Sequence, residues 1–167
     1  MPINLNNTYS IILPTYNEAG HIQDLIQDIH NIFTKKKIQF EIIVVDDGSK
    51  DGTIKKINQL KTSINNLSLI IRTNYKNSLV NSLNEGIKQS KFDYVIWLDA
   101  DYSHPPKYIN EMINKMNEHN YDLIFFSRFL EESKRYFQNK KYSAQTIDKL
   151  SIYLNVLLIR FILFFIL

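Results

Sequence analysis

The stretch that decides the fold is Tyr94-Val95-Ile96-Trp97-Leu98-Asp99-Ala100-Asp101. Its apolar half predicts a buried strand, and two carboxylates follow directly at the carboxyl end of that strand. Burying an unpaired charge costs on the order of several kcal/mol, so both carboxylates are expected to face a site or solvent. A divalent cation is a partner that they could share, whereas an Asp-x-Asp pair taken alone also fits a solvated acidic turn.

Downstream of this stretch, Pro105 and Pro106 end the strand segment and start a helix. The apolar residues of that helix recur at helical spacing: Ile109, Met112, Ile113 and Met116.

Upstream, the same alternation of strand and helix runs back to the amino terminus. The predicted strands are Tyr9–Leu13 closed by Pro14, Phe40–Val45, Leu67–Ile71, and then Asp122–Phe126 beyond the central stretch. The predicted helices start at about Glu18 with Asn17 as N-cap, after Asp51-Gly52-Thr53, and around Leu79, Leu83 and Ile87. This order predicts an α/β fold with a mostly parallel sheet and helices on both faces.

In sheets of this class, ligands bind beyond the carboxyl ends of the strands. The unusual side chains of this sequence follow those ends: Pro14, Tyr16 and Glu18; Asp46 and Asp47; Asp99 and Asp101; and Arg128. Their convergence favours a functional site over a set of unrelated turns.

The individual residues leave several alternatives open. Asp47 fits either a hydrogen bond to a ribose or base, or ordinary turn chemistry in Asp-Gly-Ser. Asp46 is predicted to cap the turn, and Asp51 to cap the following helix. Arg128 offers a fork of donors suited to phosphate, and no glycine-rich phosphate loop is present.

Composition narrows the setting. A chain of 167 residues predicts one domain, and the lack of cysteine excludes disulfides and thiolate metal sites. From Lys134 onward six basic residues accompany one acid, which leaves the first 133 residues with a net charge of −2. A basic stretch beside an apolar end favours an anionic membrane surface as a partner, and no nucleic-acid motif is present.

The apolar end is the run from Ile152 to Leu167, interrupted by Asn155 and Arg160. As a helix it would span roughly 24 Å, less than the ~30 Å of a hydrocarbon core. Residues 151–167 are therefore predicted to form an interfacial helix or the start of a membrane segment, with a last core helix as the alternative.

Four motifs occur in order: Leu13-Pro14-Thr15-Tyr16-Asn17-Glu18, Val44-Val45-Asp46-Asp47-Gly48-Ser49 with Asp51-Gly52-Thr53, Asp99-Ala100-Asp101-Tyr102-Ser103-His104-Pro105-Pro106, and Ser127-Arg128-Phe129. Together they resemble the family 2 glycosyltransferases, in particular the dolichol-phosphate (polyprenol-phosphate) mannosyltransferase branch. The resemblance implies a GT-A domain over residues 1–150. It also implies inverting transfer of a sugar, mannose from GDP-mannose or a sugar from a UDP donor, to a polyprenyl or dolichyl phosphate.

The resemblance also implies roles for individual residues. Catalytic roles would fall to Asp101 and Arg128, and Mg²⁺ or Mn²⁺ would be held by Asp99, Asp101 and Ser103. The nucleotide-sugar would be bound by Pro14, Tyr16, Glu18, Val45, Asp47, Asp99, Ala100, Asp101 and Arg128. A cytoplasmic membrane face and a membrane-anchoring subunit would complete the setting.

Two segments depart from the family pattern. Ser78-Leu79-Val80-Asn81-Ser82 stands where members carry a Gly-Leu-Gly-x-Ala-like segment, and Glu131-Glu132-Ser133 replaces a Gly-Gly. A nucleotide-binding but inactive fragment is therefore one alternative. A phosphoacceptor receiver domain is another, although receivers carry their acidic pair after the first strand.

Overall fold

The computed structural model describes residues 7–73, 77–92, 94–118, 123–126 and 160–164. The strands are β1 (Tyr9–Thr15), β2 (Phe40–Asp46), β3 (Leu67–Ile71), β4 (Tyr94–Trp97), β5 (Leu123–Phe126) and β6 (Arg160–Phe164). The helices are α1 (Ile22–Lys36), α2 (Thr53–Leu60), α3 (Leu79–Gln89) and α4 (Ile109–Glu118), the last preceded by a 3-10 turn at Pro106–Tyr108. Strands and helices alternate as predicted up to β5.

The described strands form one parallel sheet in the order β3-β2-β1-β4-β6-β5. Because the strands are parallel, β1, β2 and β4 end at one edge, here called the carboxyl edge. Pro14 does not close β1 as predicted but lies inside it. The Leu98 amide, directly after β4, donates to the Ile12 carbonyl at 3.2 Å. Pro14 lies beyond this hydrogen bond, so its missing N–H costs no bond to β4.

Helices cover both faces of the sheet. One core contains Ile11 and Leu13 of β1 together with the apolar faces of α1, α2 and α4. The second core lies on the other face, where Ile12 packs with Leu83 and Ile87 of α3. Alternation along β1 thus supplies both cores, as expected for a central parallel strand.

The start of α1 differs from the prediction. Asn17 is not its N-cap: α1 begins at Ile22, the cap position is His21, and Asn17 adopts a left-handed backbone with φ 58°. Asn17 instead bonds to the loop after β2, a tertiary contact that the local pattern does not reveal.

The predicted helix over residues 151–167 is wrong at Arg160–Phe164, which form β6 between β4 and β5. A strand buried inside a parallel sheet reads as a continuous apolar run, so its period does not separate it from an apolar helix. The rest of the segment lies outside the described residues. No helix in the described part of the chain is long and apolar enough to cross a membrane.

Candidate functional site

Two loops at the carboxyl edge are joined to each other. The loop of residues 16–21 follows β1, and the loop of residues 47–52 follows β2. The Asn17 amide donates to Ser49 Oγ at 2.8 Å, and the Lys50 amide donates to Asn17 Oδ1 at 2.9 Å. The Glu18 amide donates to Thr53 Oγ1 at 2.9 Å. These bonds fix the backbone that carries Tyr16 and Glu18.

Tyr16 and Glu18 lie on this joined pair of loops, Tyr16 exposed and Glu18 half-buried. Tyr16 is 49% exposed, and Pro14 beside it is half-buried. The pKa of the Glu18 carboxyl is raised, first by burial and next by the negative charge of Asp101, with Asp99 adding a smaller effect. Glu18 therefore lies within electrostatic reach of the acidic turn after β4.

Asp46 caps its own turn, as predicted, whereas Asp51 is not the N-cap of α2, because Gly52 occupies that position. Asp46 is fully buried and accepts hydrogen bonds from the Gly48 and Ser49 amides at 2.9 and 2.7 Å, and from the Ser49 hydroxyl. Asp51 accepts from the Thr53 hydroxyl and amide at the start of α2, and from the Ala19 amide. The Thr53 hydroxyl is the largest cause that lowers the pKa of Asp51.

Asp47 is held by three donors, two from the segment between β3 and α3 and one from α3. Arg72 Nη1 pairs with Asp47 Oδ1, which also accepts from the Ser82 hydroxyl at 2.7 Å. The Ser78 amide donates to Asp47 Oδ2 at 2.8 Å. The side chains of Asp47 and Arg72 keep only 8% and 9% of their surface exposed. We call Asp47, Arg72, Ser78 and Ser82 the Asp47 network.

The acidic turn after β4 is organised by His104. The Asp99 amide donates to His104 Nδ1 at 3.1 Å, and the imidazole is buried with 2% of its surface exposed. Tyr102 adopts a left-handed backbone with φ 63°, and its hydroxyl donates to Asp28 Oδ2 on α1 at 2.9 Å. The turn is thus fixed from inside by His104 and from α1 by Tyr102.

Asp101 is an exposed carboxylate on this turn. Its Oδ1 accepts from the Ser103 amide at 2.8 Å. Partial burial raises the pKa of Asp101, but the neighbouring Ser103, whose amide bonds the carboxylate, outweighs it, so the pKa lies below the ordinary value. Asp101 is therefore an anion at neutral pH.

This turn fits a divalent cation whose remaining ligands come from a substrate. No group of three His, Asp or Glu side chains able to hold a metal occurs in the described residues. Asp99, whose side chain is 34% exposed, and the ionised Asp101 nonetheless offer hard oxygen ligands one residue apart. Mg²⁺ is commonly bound by one or two carboxylates plus substrate phosphates, so two carboxylates suffice.

The remaining predicted residues are placed differently. Val45 has no exposed surface and Ala100 keeps 4%, so neither side chain reaches the surface of the carboxyl edge. Arg128 lies outside the described residues. Sequence reasoning gave no role to Arg72, Ser82 or His104, although Arg72 directly follows β3 at the same edge and could have been found by that rule.

The family model for Glycosyl transferase family 2 matches residues 10–165. The chain belongs to this family. Membership in this family rules out the receiver-domain alternative. An uncharacterized glycosyltransferase of Synechocystis sp. is 33% identical over 71% of this chain and 37% of its own length. The dolichol-phosphate mannosyltransferase of Saccharomyces cerevisiae is 29% identical over 69% of this chain and 43% of its own length. This family 2 chain thus spans less than half the length of both relatives.

Solved structures agree with the fold. TarS of S. aureus in complex with UDP matches with a TM-score of 0.60 and 26% identity, over 72% of this chain and 36% of that one. Mannosyl-3-phosphoglycerate synthase of Rubrobacter xylanophilus matches with a TM-score of 0.62 and 19% identity, over 74% of this chain and 42% of that one. The family 2 chain has the GT-A fold that the resemblance implied.

Proposed function

We propose that this chain carries the donor site of a metal-dependent, inverting glycosyltransferase that moves a sugar from a nucleoside diphosphate onto a polyprenyl or dolichyl phosphate. The observation that carries the proposal is the acidic turn at the carboxyl edge, where Asp99 and Asp101 lie within electrostatic reach of Glu18. Family membership makes glycosyl transfer the reaction class. The yeast relative and the Ser-His-Pro-Pro segment favour the lipid-phosphate acceptor.

In this proposal Asp99 and Asp101, with Ser103 beside them, hold Mg²⁺ or Mn²⁺. The cation would neutralise negative charge on the departing nucleoside diphosphate. Tyr16 and Glu18 would contact the nucleoside from the loop after β1. Arg128 would face a donor or acceptor phosphate.

A lipid phosphate acceptor does not need the protein to remove a proton from it. It is already an anion at neutral pH, so its oxygen can attack the sugar without a dedicated general base. Attack from the face opposite the leaving group inverts the anomeric centre. The chain's own tasks are then orientation and charge balance, which match the fixed turn around His104.

Two donors fit the proposed reaction. GDP-mannose is favoured by the motifs of the mannosyltransferase branch and by the yeast relative. A UDP-sugar is favoured by TarS, which was solved with UDP. The basic residues from Lys134 onward favour the cytoplasmic face of an anionic membrane as the place of action, with an anchoring subunit as a further partner.

Calorimetric titration of the full chain with GDP and UDP, with and without Mn²⁺, tests the site. We expect Asp101→Asn to weaken metal-dependent binding by about tenfold or more, because it removes a carboxylate from the cation. Asp24→Asn, on the exposed surface of α1, is the matched control and should leave binding unchanged.

Transfer of radiolabelled sugar to a polyprenyl phosphate in detergent tests the reaction. Binding without transfer would favour the inactive-fragment alternative. A nucleotide affinity that changes neither with Mn²⁺ nor in Asp101→Asn would refute the metal site.

A further inference from the structure

The Asp47 network contains one contact that the family pattern does not supply. The Ser78 amide would be present with any residue at that position, glycine included. The Ser82 hydroxyl, however, stands where the family pattern has alanine, and it is buried with 1% of the residue exposed. The departure from the family pattern therefore adds a hydroxyl directly on the carboxylate of Asp47.

The direction of each hydrogen bond in this network is fixed. A guanidinium has donors only, so Arg72 Nη1 donates to Ser82 Oγ at 2.7 Å. An ionised carboxylate accepts only, so the Ser82 hydroxyl donates its proton to Asp47 Oδ1. Arg72, Ser82 and Asp47 thus close a triangle in which Ser82 has a single hydroxyl orientation.

This triangle limits what Asp47 can accept from a ligand. A carboxylate has about four acceptor sites, two on each oxygen. Oδ1 takes Arg72 and Ser82, and Oδ2 takes the Ser78 amide. Within the described residues, one acceptor site on Oδ2 is left, which agrees with the small exposed fraction of the side chain.

We propose that Ser82 makes this donor site selective for a base with a single N–H donor on its recognition edge, namely uracil, and disfavours guanine. This inference rests on the proposed function, because it names the donor base of the same site. It makes a UDP-sugar the donor for this chain.

The two bases differ in the edge that they offer to a carboxylate. Guanine presents an imide N–H and an adjacent amine, a pair of donors that matches both oxygens of a carboxylate. At Asp47 the second donor meets an oxygen already filled by Arg72 and Ser82 and stays unpaired, which is costly in a buried site. Uracil presents one N–H between two carbonyls and needs only one acceptor site.

The test is titration of the full chain with UDP, GDP and IDP in the presence of Mn²⁺. Wild type is expected to bind UDP about tenfold or more tightly than GDP. IDP lacks the 2-amino group of GDP and offers a single N–H, so it should bind more tightly than GDP. This comparison of two ligands needs no variant.

Ser82→Ala frees one acceptor site on Oδ1 and should reduce the UDP-to-GDP preference to about threefold or less. Ser90→Ala, at the C-cap of the same helix, is the matched control, because the Ser90 hydroxyl donates to the Gly86 carbonyl at 3.0 Å and not to Asp47. It should keep the wild-type preference.

Tighter or equal binding of GDP by wild type, weaker binding of IDP than of GDP, or an unchanged preference in Ser82→Ala would each overturn the base assignment while leaving glycosyl transfer intact. If none of the nucleotides binds, the proposed function fails together with it.

Discussion

At the scale of single residues, the aspartates of the carboxyl edge have different roles because they meet different numbers of donors. Asp46 and Asp47 each accept three hydrogen bonds from the protein, which leaves Asp47 with one acceptor site, on Oδ2, within the described residues. Asp101 accepts from the Ser103 backbone and remains exposed. The sequence indicates carboxylates at strand ends, but the donors come from distant segments and are visible only in the fold.

Tyr9 permits a prediction about alkaline pH. The residue has no exposed surface, and burial raises the pKa of its phenol to about 12 from 10.0. Because the folded protein favours the neutral phenol, Tyr9 contributes fully to the free energy of unfolding below pH 10. This contribution is lost as the pH rises through 12. The shift corresponds to about 2 to 3 kcal/mol.

Urea unfolding of wild type and Tyr9→Phe at several pH values between 8 and 12 measures this contribution. Wild type should lose more unfolding free energy than Tyr9→Phe as the pH rises, because the variant has no phenol to ionise. Tyr16→Phe is the control, since the Tyr16 ring is 49% exposed. Parallel pH curves for wild type and Tyr9→Phe would contradict the prediction.

At the scale of elements, local patterns predict the elements that local contacts hold. The apolar face of α4 was read correctly, and all four of its predicted core residues are buried. The start of α1 was missed because Asn17 takes its partners from the loop after β2. Similarly, Arg160–Phe164 form a strand because their backbone groups pair with β4 and β5. The local sequence pattern does not reveal this pairing.

The packing of α3 on β1 depends on Gly86. A Cβ added at this position would lie 2.5 Å from Ile12 Cγ2, closer than real contacts allow. Helix propensity alone would make Gly86→Ala stabilising by about 1 kcal/mol. We expect the clash to outweigh this gain and the unfolding free energy to fall by about 1 to 3 kcal/mol.

Chemical denaturation measures the effect of Gly86→Ala. Gly20→Ala is the matched control, because a Cβ at Gly20 has no atom within 4 Å. Unchanged or increased stability in Gly86→Ala would mean that Ile12 repacks without cost.

At the scale of the whole molecule, the described helices α1 and α3 bury unequal amounts of apolar surface on the two faces of the sheet. The core that contains α1 takes five buried residues from that helix: Ile22, Leu25, Ile26, Ile29 and Phe33. The opposite core takes Leu83 and Ile87 from α3. Regions with less buried apolar surface open at lower free energy, so the face covered by α3 should open first.

Native-state hydrogen exchange measures this difference. Amides in the middle of α3 should exchange with opening free energies below those of α1, and amides of β1, which lies between the two cores, should be the most protected. Equal protection of α1 and α3 would show that the two faces open together.

The site is predictable at the same scale to the extent that topology alone brings its parts together. The rule that parallel sheets bind ligands at the carboxyl edge pointed to Glu18, Asp47, Asp99 and Asp101, and the structure gathers these residues at that edge. The family resemblance did not separate exposed from buried side chains, so it included Val45 among the nucleotide-binding residues although Val45 has no exposed surface.

The central position of β1 has a consequence for synthesis on the ribosome. β1 can pair with β2 soon after both emerge, but its other side waits for β4, with Tyr9 meeting Tyr94. At ordinary rates of translation the intervening residues take roughly 4 to 17 s to synthesise. During that interval one edge of the apolar first strand is unpaired, and an unpaired strand edge is a point at which nascent chains can aggregate.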